Sequence, residues 1–502
     1  MIKLNKTLIG LSLFCYSSMV IVALVIWIKP CFRAVTLGQI SKFYPTMIWV
    51  AMLLVISCVM PMGLSPIHNG DQENFRNQYE MITESFLNGQ LHFQYKADER
   101  LLAMENPYDT MERINQNISF HWDHALYNGR YYMYFGVVPV LLLFLPFRLI
   151  TGQALTGYHG TQIFVAVYII GLFMVLWLLG KKFFREMTLS MYLLLCAAIA
   201  YLSIWFAVAA PALYSMAIVA GLACAIWSMY FFMKAVWICE TENKAIIYAA
   251  IGSLLGALEF GCRPTVGLSN FIVCPLVAAF LQKNKISVKL LSKMLLVALP
   301  YVFVAIGLMI YNEMRFDNPF EFGQSYQLTI IDQTGYSDMV SRFDLKVIIR
   351  NLYFYLFNNM LSLTNLDPLP EIGPFVTFPL LPVAFVLLLF GNVRKHLYRN
   401  RLLILTLFLL FSVGIIIVFD VLWAPIPLPR YRMDFSWLLG IVAFILIGVG
   451  MQQIKHQNVL HVIIGSSCIL VLLVCFFLFL YPTVDGNFAY YYGFDILSRL
   501  IL

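Results

Sequence analysis

Residues 402–420 of the chain read LLILTLFLLFSVGIIIVFD. Eighteen uncharged residues, most of them strongly apolar, precede the first charged one, Asp420. A helix needs an apolar run of about 20 residues to cross a hydrocarbon core roughly 30 Å thick. This stretch therefore predicts a transmembrane helix.

Runs of the same kind recur along the 502 residues, of which 61% are hydrophobic and only 12% are charged. Globular domains carry about 25% charged residues, so the composition excludes a soluble enzyme. The pattern predicts an all-α membrane protein of about twelve transmembrane helices, within a range of about eleven to thirteen. We place them at 7–28, 45–64, 161–180, 188–206, 209–233, 245–262, 266–282, 294–311, 375–391, 402–420, 436–451 and 459–481.

The net charge of +7 lies in short loops between these runs, as expected for cytoplasmic loops rather than for a nucleic-acid surface. Such loops contain Lys181, Lys182 and Arg185, for example. The apolar segment 136–151 is interrupted by prolines and an arginine. We interpret it as a juxtamembrane helix lying in the interface, because counting it as a span would move the lysines to the wrong side.

This topology places two long segments, 65–135 and 312–374, on the extracytoplasmic side of a single membrane domain that spans 1–502. Residues 66–135 contain ten acidic and five basic side chains, so this face is acidic. The side on which the N-terminus lies stays open. Chemistry that uses charged groups is expected in these loops or just beneath them, and the first loop is expected to hold the catalytic site.

Asp71 follows the helix predicted at 45–64 and precedes an amphipathic stretch. It is either an N-cap, for which aspartate is a preferred residue, or a general base that takes the proton of an incoming hydroxyl. Glu73 either suits the positive end of that helix or acts as a second acid.

The segment 121–136 reads HWDHALYNGRYYMYFG and embeds Asp123 and Arg130 among aromatic residues. It is either an interfacial aromatic belt or a site for carbohydrate and lipid phosphate, with contacts from Trp122, Tyr131 and Tyr134. The spacing of its two histidines and one aspartate is not that of a recognised metal site, so no metal ligands are assigned.

Arg263 and Arg430 lie near the outer ends of later helices. A planar guanidinium matches phosphate oxygens, and both residues are candidates for binding a phosphate. Alternatively, Arg263 pairs with Glu259 one helical turn away, and the neighbouring Arg432 pairs with Asp434.

Several of these features occur in a familiar order. An acidic residue beyond an early span (Gly70-Asp71-Gln72-Glu73) is followed by a helical segment from Tyr79 to Leu91, a large outer loop and an entry from Arg130 to Pro139. In this order the chain resembles the GT-C superfamily of polytopic membrane glycosyltransferases, which includes aminoarabinose transferases of lipid A and protein O-mannosyltransferases. The resemblance covers about residues 45–190, and the later half resembles the superfamily in topology.

The resemblance implies a GT-C-like fold in which Asp71 is the catalytic carboxylate and Arg130 contacts the lipid phosphate. The second acidic residue of the superfamily is displaced here to Glu73. The implied reaction is an inverting transfer of a hexosyl or related sugar from a polyprenyl-phosphate donor to a cell-envelope glycan, lipid or protein. It would take place on the extracytoplasmic face of the cytoplasmic membrane.

The polyprenyl-phosphate sugar is thus expected as a co-substrate, with membrane lipid and the envelope acceptor as partners and no nucleic acid. No tightly bound cofactor is expected, and a divalent metal ion at Asp71, Glu73 or Asp123 stays open. Two other functions also stay open. One is a flippase or transporter of a lipid-linked saccharide, and the other is a polymerase or ligase of surface polysaccharide.

Overall fold

The structure is a computed structural model of the 502-residue chain. It describes residues 6–40, 45–59, 77–209, 213–283, 288–329, 331–334, 343–357, 373–423, 428–480, 483–485 and 488–490. The candidate residues Asp71 and Glu73 lie outside these described residues.

The described part is predominantly helical. In chain order its α-helices are α1 (Lys6–Ile28), α2 (Pro30–Ala34), α3 (Pro45–Val59), α4 (Gln78–Leu87), α5 (Glu99–Leu102), α6 (Thr110–Asn115), α7 (Leu145–Thr151), α8 (Gly157–Phe183), α9 (Leu189–Ala209), α10 (Leu213–Trp237), α11 (Glu242–Cys262), α12 (Pro264–Gly267), α13 (Val273–Lys283), α14 (Val288–Phe316), α15 (Leu345–Phe357), α16 (Pro374–Thr377), α17 (Leu380–Val386), α18 (Gly391–Arg399), α19 (Leu402–Trp423), α20 (Met433–Gln453) and α21 (Gln457–Leu480).

Shorter elements complete the described part of the chain. Five residues before α7, Val140–Phe144, form a π-helical turn, and 3-10 turns occupy Leu37–Gln39, Leu268–Ile272, Leu387–Leu389 and Pro429–Arg432. Two antiparallel hairpins pair β1 (Ala125–Tyr127) with β2 (Arg130–Tyr132) and β3 (Thr483–Asp485) with β4 (Phe488–Tyr490).

Within the described residues, nine helical segments are long and apolar enough to cross a membrane, and the protein is therefore a multi-pass membrane protein. They are Gly157–Phe183, Leu189–Val208, Leu213–Trp237, Glu242–Cys262, Pro264–Gln282, Ser292–Phe316, Leu402–Trp423, Arg430–Gln453 and Gln457–Phe476. Each corresponds to one helix predicted from the sequence.

The predicted count of twelve helices is not confirmed. The run predicted at 375–391 becomes a bent pair, Leu380–Leu389 and Gly391–Arg399, whose axes differ by 89°. If that pair counts as one span, the described residues contain ten. The runs predicted at 7–28 and 45–64 are helical as α1 (Lys6–Ile28) and α3 (Pro45–Val59).

Helices α9 and α20 form the centre of the bundle and are buried along their entire spanning windows. Their close approach depends on a small residue, since a Cβ atom at Gly440 would lie 2.5 Å from Cγ2 of Ile199. Small residues allow this kind of helix contact in membranes, where dispersion replaces the hydrophobic effect as the packing force.

One end of the bundle, which we call the basic end, contains the loop between α8 and α9. The N–H of Leu37 donates to the carbonyl of Met187 at 2.9 Å, and Lys181 Nζ donates to the carbonyl of Leu37 at 3.0 Å. The turn at Leu37–Gln39 therefore lies at the basic end, and α1 runs towards it from the opposite end.

The two long segments that the sequence places on one side meet each other at that opposite end. The N–H of Asp123 donates to the carbonyl of Leu328, and the N–H of Leu328 donates to the carbonyl of His124, both at 2.9 Å. The N–H of Leu126 donates to the carbonyl of Tyr326. Backbone hydrogen bonds thus join residues 123–126 to residues 326–328 in a layer that covers the helix ends.

The segment predicted as a juxtamembrane helix at 136–151 is helical over 140–151. Leu149 and Ile150 are 65% and 83% exposed, as a helix in the interface would be when its apolar side faces lipid.

Gly136 is the point at which this layer rests on the bundle. A Cβ atom there would lie 2.1 Å from the carbonyl oxygen of Cys262, the last residue of α11. We expect Gly136→Ala to destabilise the protein by about 1–3 kcal/mol, the usual cost of overpacking, measured as a lower Tm of the detergent-solubilised protein. Gly307→Ala is the matched control, because a Cβ atom there meets nothing within 4 Å. Equal Tm values for the two variants would show that this contact is not required.

Candidate functional site

A partly enclosed cavity opens at the end of the bundle opposite the basic end, between α10, α11, α14, α19 and the 3-10 turn Pro429–Arg432. Among the described residues that line it there is no aspartate or glutamate. The polar part of its wall carries three arginines and four tyrosines, namely Arg263, Arg315, Arg430, Tyr134, Tyr214, Tyr311 and Tyr431. The apolar part includes Phe260, Leu308, Phe322, Phe419 and Trp423.

Arg263 occupies the break between α11 and α12. Its backbone is extended, with φ −155° and ψ 111°, because a residue that precedes a proline is disfavoured in helical conformation. The Nε–H donates to both carboxylate oxygens of Asp434, at 2.7 and 2.9 Å. In the described part of the chain, Arg263 donates side-chain hydrogen bonds only through Nε, and its guanidinium lies 4.9 Å from the centre of the Tyr431 ring.

Asp434 is fully buried and also accepts a hydrogen bond of 2.9 Å from the Thr265 hydroxyl. The pairing of Arg263 with Glu259 that the sequence left open is replaced by this contact. Glu259 instead accepts hydrogen bonds from Ser269 and Asn270, at 3.0 and 3.1 Å.

Arg315, in the last turn of α14, was not identified from the sequence as a site residue. Its guanidinium donates to the carbonyl of Met133 at 2.6 Å and to Oδ1 of Asn312 at 2.7 Å. It also stacks over the ring of Tyr311 at 3.9 Å. Both acceptors are neutral, so these contacts orient the guanidinium without cancelling its charge. An arginine in the last turn of a membrane-spanning helix was the available signal.

Arg430 lies 4.2 Å above the ring of Tyr214, as in a cation–π contact. The hydroxyl of Tyr214 donates to Oδ2 of Asp123. The other carboxylate oxygen of Asp123 accepts a hydrogen bond from Gln327 at 2.8 Å. Asp123 therefore lies behind the cavity wall, where it holds the hydroxyl of Tyr214, a residue that lines the cavity.

Asp123 has a left-handed backbone, with φ 54°, a conformation that aspartate tolerates better than most residues. The residue as a whole is only 4% exposed. Burial raises the pKa of Asp123, against the lowering effects of the Tyr214 hydrogen bond and the Arg430 charge.

The structure thus brings Tyr134, Arg263 and Arg430 together in one cavity. Arg130 lies apart, exposed at the turn between β1 and β2. Trp122 lies beside Phe120, with 5.9 Å between the ring centres, and does not line the cavity.

Tyr131 is part of a separate aromatic cluster in the outer layer. Its ring lies 5.4 Å from that of Tyr95, 5.0 Å from that of His121 and 5.8 Å from that of His124. Burial raises the pKa of Tyr131 to about 12 and lowers the pKa of His124 to about 3. Burial therefore favours the uncharged forms of Tyr131 and His124.

The described residues contain no group of three or more histidine, cysteine, aspartate or glutamate side chains that fits a metal ion. At the HxDH segment, Asp123 is hydrogen-bonded through both carboxylate oxygens, and Nδ1 of His124 lies 2.8 Å from the Trp122 carbonyl.

The ion pair of Arg263 and Asp434 gives a direct test of the site's architecture. We expect Asp434→Asn to cost about 3–5 kcal/mol, because it leaves the largely buried guanidinium of Arg263 without its charged partner, and to lower Tm accordingly. The double variant Arg263→Met with Asp434→Leu should recover much of that loss. Asp98→Asn is the control and should change little, since its partner Arg100 is an exposed side chain. A Tm for Asp434→Asn equal to that of the control would contradict the interpretation.

No family model and no curated protein sequence matches the chain. Solved structures that resemble it belong to the oligosaccharyltransferase of Archaeoglobus fulgidus. The apo form is 11% identical and aligns over 86% of this chain and 55% of that chain, with a TM-score of 0.42. The complex with Zn and sulfate is 12% identical over 84% and 52% of the two chains, with a TM-score of 0.41.

A third structure, of AglB from the same organism with an inhibitory peptide and a dolichol-phosphate, is 12% identical over 86% of this chain and 56% of that chain, with a TM-score of 0.38. The chain spans about half the length of these archaeal proteins. At such identities and TM-scores, the likeness transfers neither a substrate nor a residue role to this chain.

Proposed function

We propose that the protein is a glycosyltransferase that moves a sugar from a polyprenyl-phosphate donor to an acceptor of the cell envelope. The observation that carries the proposal is the cavity itself. Three arginines and an apolar wall share one cavity that no described aspartate or glutamate lines. A lipid-linked phosphate would match this cavity, because its anionic head suits the arginines and its apolar tail suits the apolar wall.

The chemistry of the transfer requires stabilisation of the departing phosphate. The acceptor oxygen forms a bond to the anomeric carbon, while the bond from that carbon to the phosphate oxygen breaks and its electron pair remains on the phosphate. Preorganised donors that face such developing charge are a large source of rate enhancement. Arg315 and Arg263 are held by Asn312 and Asp434 before any ligand arrives, and they provide such donors.

The proton of the acceptor hydroxyl must pass to a base. We assign this role to Asp71, on the grounds of the sequence resemblance, and an inverting displacement follows from a single direct attack. Glu73 is the next candidate. Asp123 supports the cavity instead, since its two carboxylate oxygens are already engaged by Tyr214 and Gln327.

We place the reaction on the extracytoplasmic face of the cytoplasmic membrane. The basic end carries Lys181 and Lys182 in the last turn of α8 and Arg185 in the loop that follows, and basic residues that flank spans are retained in the cytoplasm. The cavity lies at the opposite end, where the acidic outer segment covers the helix ends. No nucleotide donor is required there.

The test is sugar transfer from a panel of radiolabelled polyprenyl-phosphate sugars, in membranes that contain equal amounts of each variant. We expect Arg315→Gln to reduce transfer by about 10²–10³ through the loss of one preorganised donor. Asp71→Asn should reduce it by about 10²–10⁴ through the loss of a base.

Arg148→Gln is the matched control. Arg148 is another arginine of the covering layer, but it pairs with Glu84 at 2.6 Å and lies away from the cavity, so transfer should be unchanged. Full activity of Arg315→Gln would sink the assignment of the cavity. If the wild type moved a lipid-linked saccharide across vesicles without breaking the glycosidic bond, the protein would be a flippase.

A further inference from the structure

A second cavity, of about 630 Å³, opens at the basic end of the bundle, far from the arginine cavity described above. It lies between the ends of α13 and α19, with contributions from the last residues of α8 and α10. Its inner wall is apolar and includes Phe183, Trp237, Leu276, Ala279 and Leu405.

The rim of this cavity is basic and polar. Arg399, Asn400 and Arg401 line it at the turn between α18 and α19, and Gln282 lines it from α13. Arg401 donates a hydrogen bond to Oε1 of Gln282, which ties the two sides of the rim together. In the described part of the chain, neither Arg399 nor Arg401 forms a salt bridge.

The backbone at this turn is specialised. Arg401 has φ 57°, in the left-handed region that follows many helix ends and is usually occupied by glycine or asparagine. Arginine is less suited to this backbone conformation than glycine or asparagine, so it does not stabilise the turn. Its side chain is therefore explained by what it contacts at the rim.

Helix α18 has the features of a helix that lies along the membrane interface. It departs from α17 at 89°, and Arg394 stabilises the bend by donating to the carbonyls of Leu388 and Leu389, at 2.7 and 3.2 Å. Val393 and Leu397, one turn apart, are buried, whereas Tyr398 is 74% exposed. An exposed tyrosine beside arginines is typical of the headgroup level of a bilayer.

From this juxtaposition of an arginine rim and an apolar cavity at headgroup level, we propose that the basic end binds an anionic glycerophospholipid. The phosphate contacts the guanidinium groups of Arg399 and Arg401, and an acyl chain follows the apolar wall. A free phosphate would leave that wall unused, and a zwitterionic lipid would bring its own cation to a rim that is already basic. Basic pockets between transmembrane helices on the cytoplasmic side are suited to anionic headgroups.

The test uses the purified full-length chain, stripped of lipid in detergent and titrated with dioleoylphosphatidylglycerol, dioleoylphosphatidylcholine or inorganic phosphate. Bound lipid is counted by native mass spectrometry, and the shift in Tm is recorded. We expect phosphatidylglycerol alone to bind and to raise Tm. Each lost arginine should weaken its binding about fivefold.

The variants are Arg399→Gln and Arg401→Asn, singly and together, since asparagine keeps the left-handed backbone at 401. Lys395→Gln removes one charge from the same exposed face of α18 without touching the cavity and should bind as the wild type. Ala279→Phe fills the apolar wall and should also weaken lipid binding while both arginines remain.

Three outcomes would overturn the proposal. They are wild-type affinity in the double arginine variant, equal binding of phosphatidylcholine, and a Tm shift produced by inorganic phosphate alone. If the double variant does not fold, Arg399→Gln decides the matter, because in the described part Arg399 makes no hydrogen bond that the fold would lose. The result does not depend on sugar transfer, so it stands apart from the proposed function.

Discussion

The hydrocarbon interior offers the backbone no hydrogen-bond partner other than itself, and this constraint shapes the rest of the structure. It requires helices wherever the chain crosses, and it drives charged side chains towards the helix ends. Three buried carboxylates follow this rule at the cavity end. Glu259 and Asp420 lie three residues before the ends of α11 and α19, and Asp434 is the second residue of α20.

The crowding of charge at one end is what creates the candidate site. Asp434 needs a cation because it is buried, and the break after α11 supplies Arg263 in an extended conformation. The outer layer then closes over this end through the backbone hydrogen bonds between residues 123–126 and 326–328. Asp123 thereby accepts a hydrogen bond from the hydroxyl of Tyr214, and the ring of Tyr214 stacks against the guanidinium of Arg430. One buried pair and one covering layer together hold the cavity's arginines.

Both ends of the bundle present arginine side chains, but the two sets are held differently. At the cavity end, Arg263 and Arg315 are fixed by hydrogen bonds to Asp434 and Asn312, so they are oriented before a ligand arrives. At the basic end, Arg399 and Arg401 are exposed on a surface helix and its following turn. Preorganised donors suit transition-state stabilisation, whereas exposed cations suit the binding of a mobile lipid headgroup.

Long apolar runs predicted the spans well. The helix predicted at 245–262 occupies Glu242–Cys262, and the one predicted at 402–420 occupies Leu402–Trp423. The prediction at 375–391 was less successful, because an apolar count cannot show that the chain turns by 89° beside Gly391. The β1–β2 hairpin was also missed, although Asn128 and Gly129 both have positive φ and Asn-Gly is a strong hairpin signal.

The candidate site residues likewise include some that the sequence named and some that it did not. The sequence named Arg263 and Arg430 near the ends of apolar runs and Tyr134 in the aromatic segment 121–136, and all three line the cavity. Arg315 and Tyr214 were not found, since their roles depend on contacts with residues more than 90 positions away, such as Met133 and Asp123. Arg130 was placed with the phosphate ligands, yet it lies exposed on the hairpin turn.

The sequence by itself determined that the chain is a membrane bundle, where most of its helices lie and which loops are basic, because hydropathy and charge act locally along the chain. Only the tertiary structure decided which arginines share a cavity, which carboxylate neutralises Arg263 and which segment covers the helix ends. Those relations arise from packing between distant segments, and burial determines which charges must be paired.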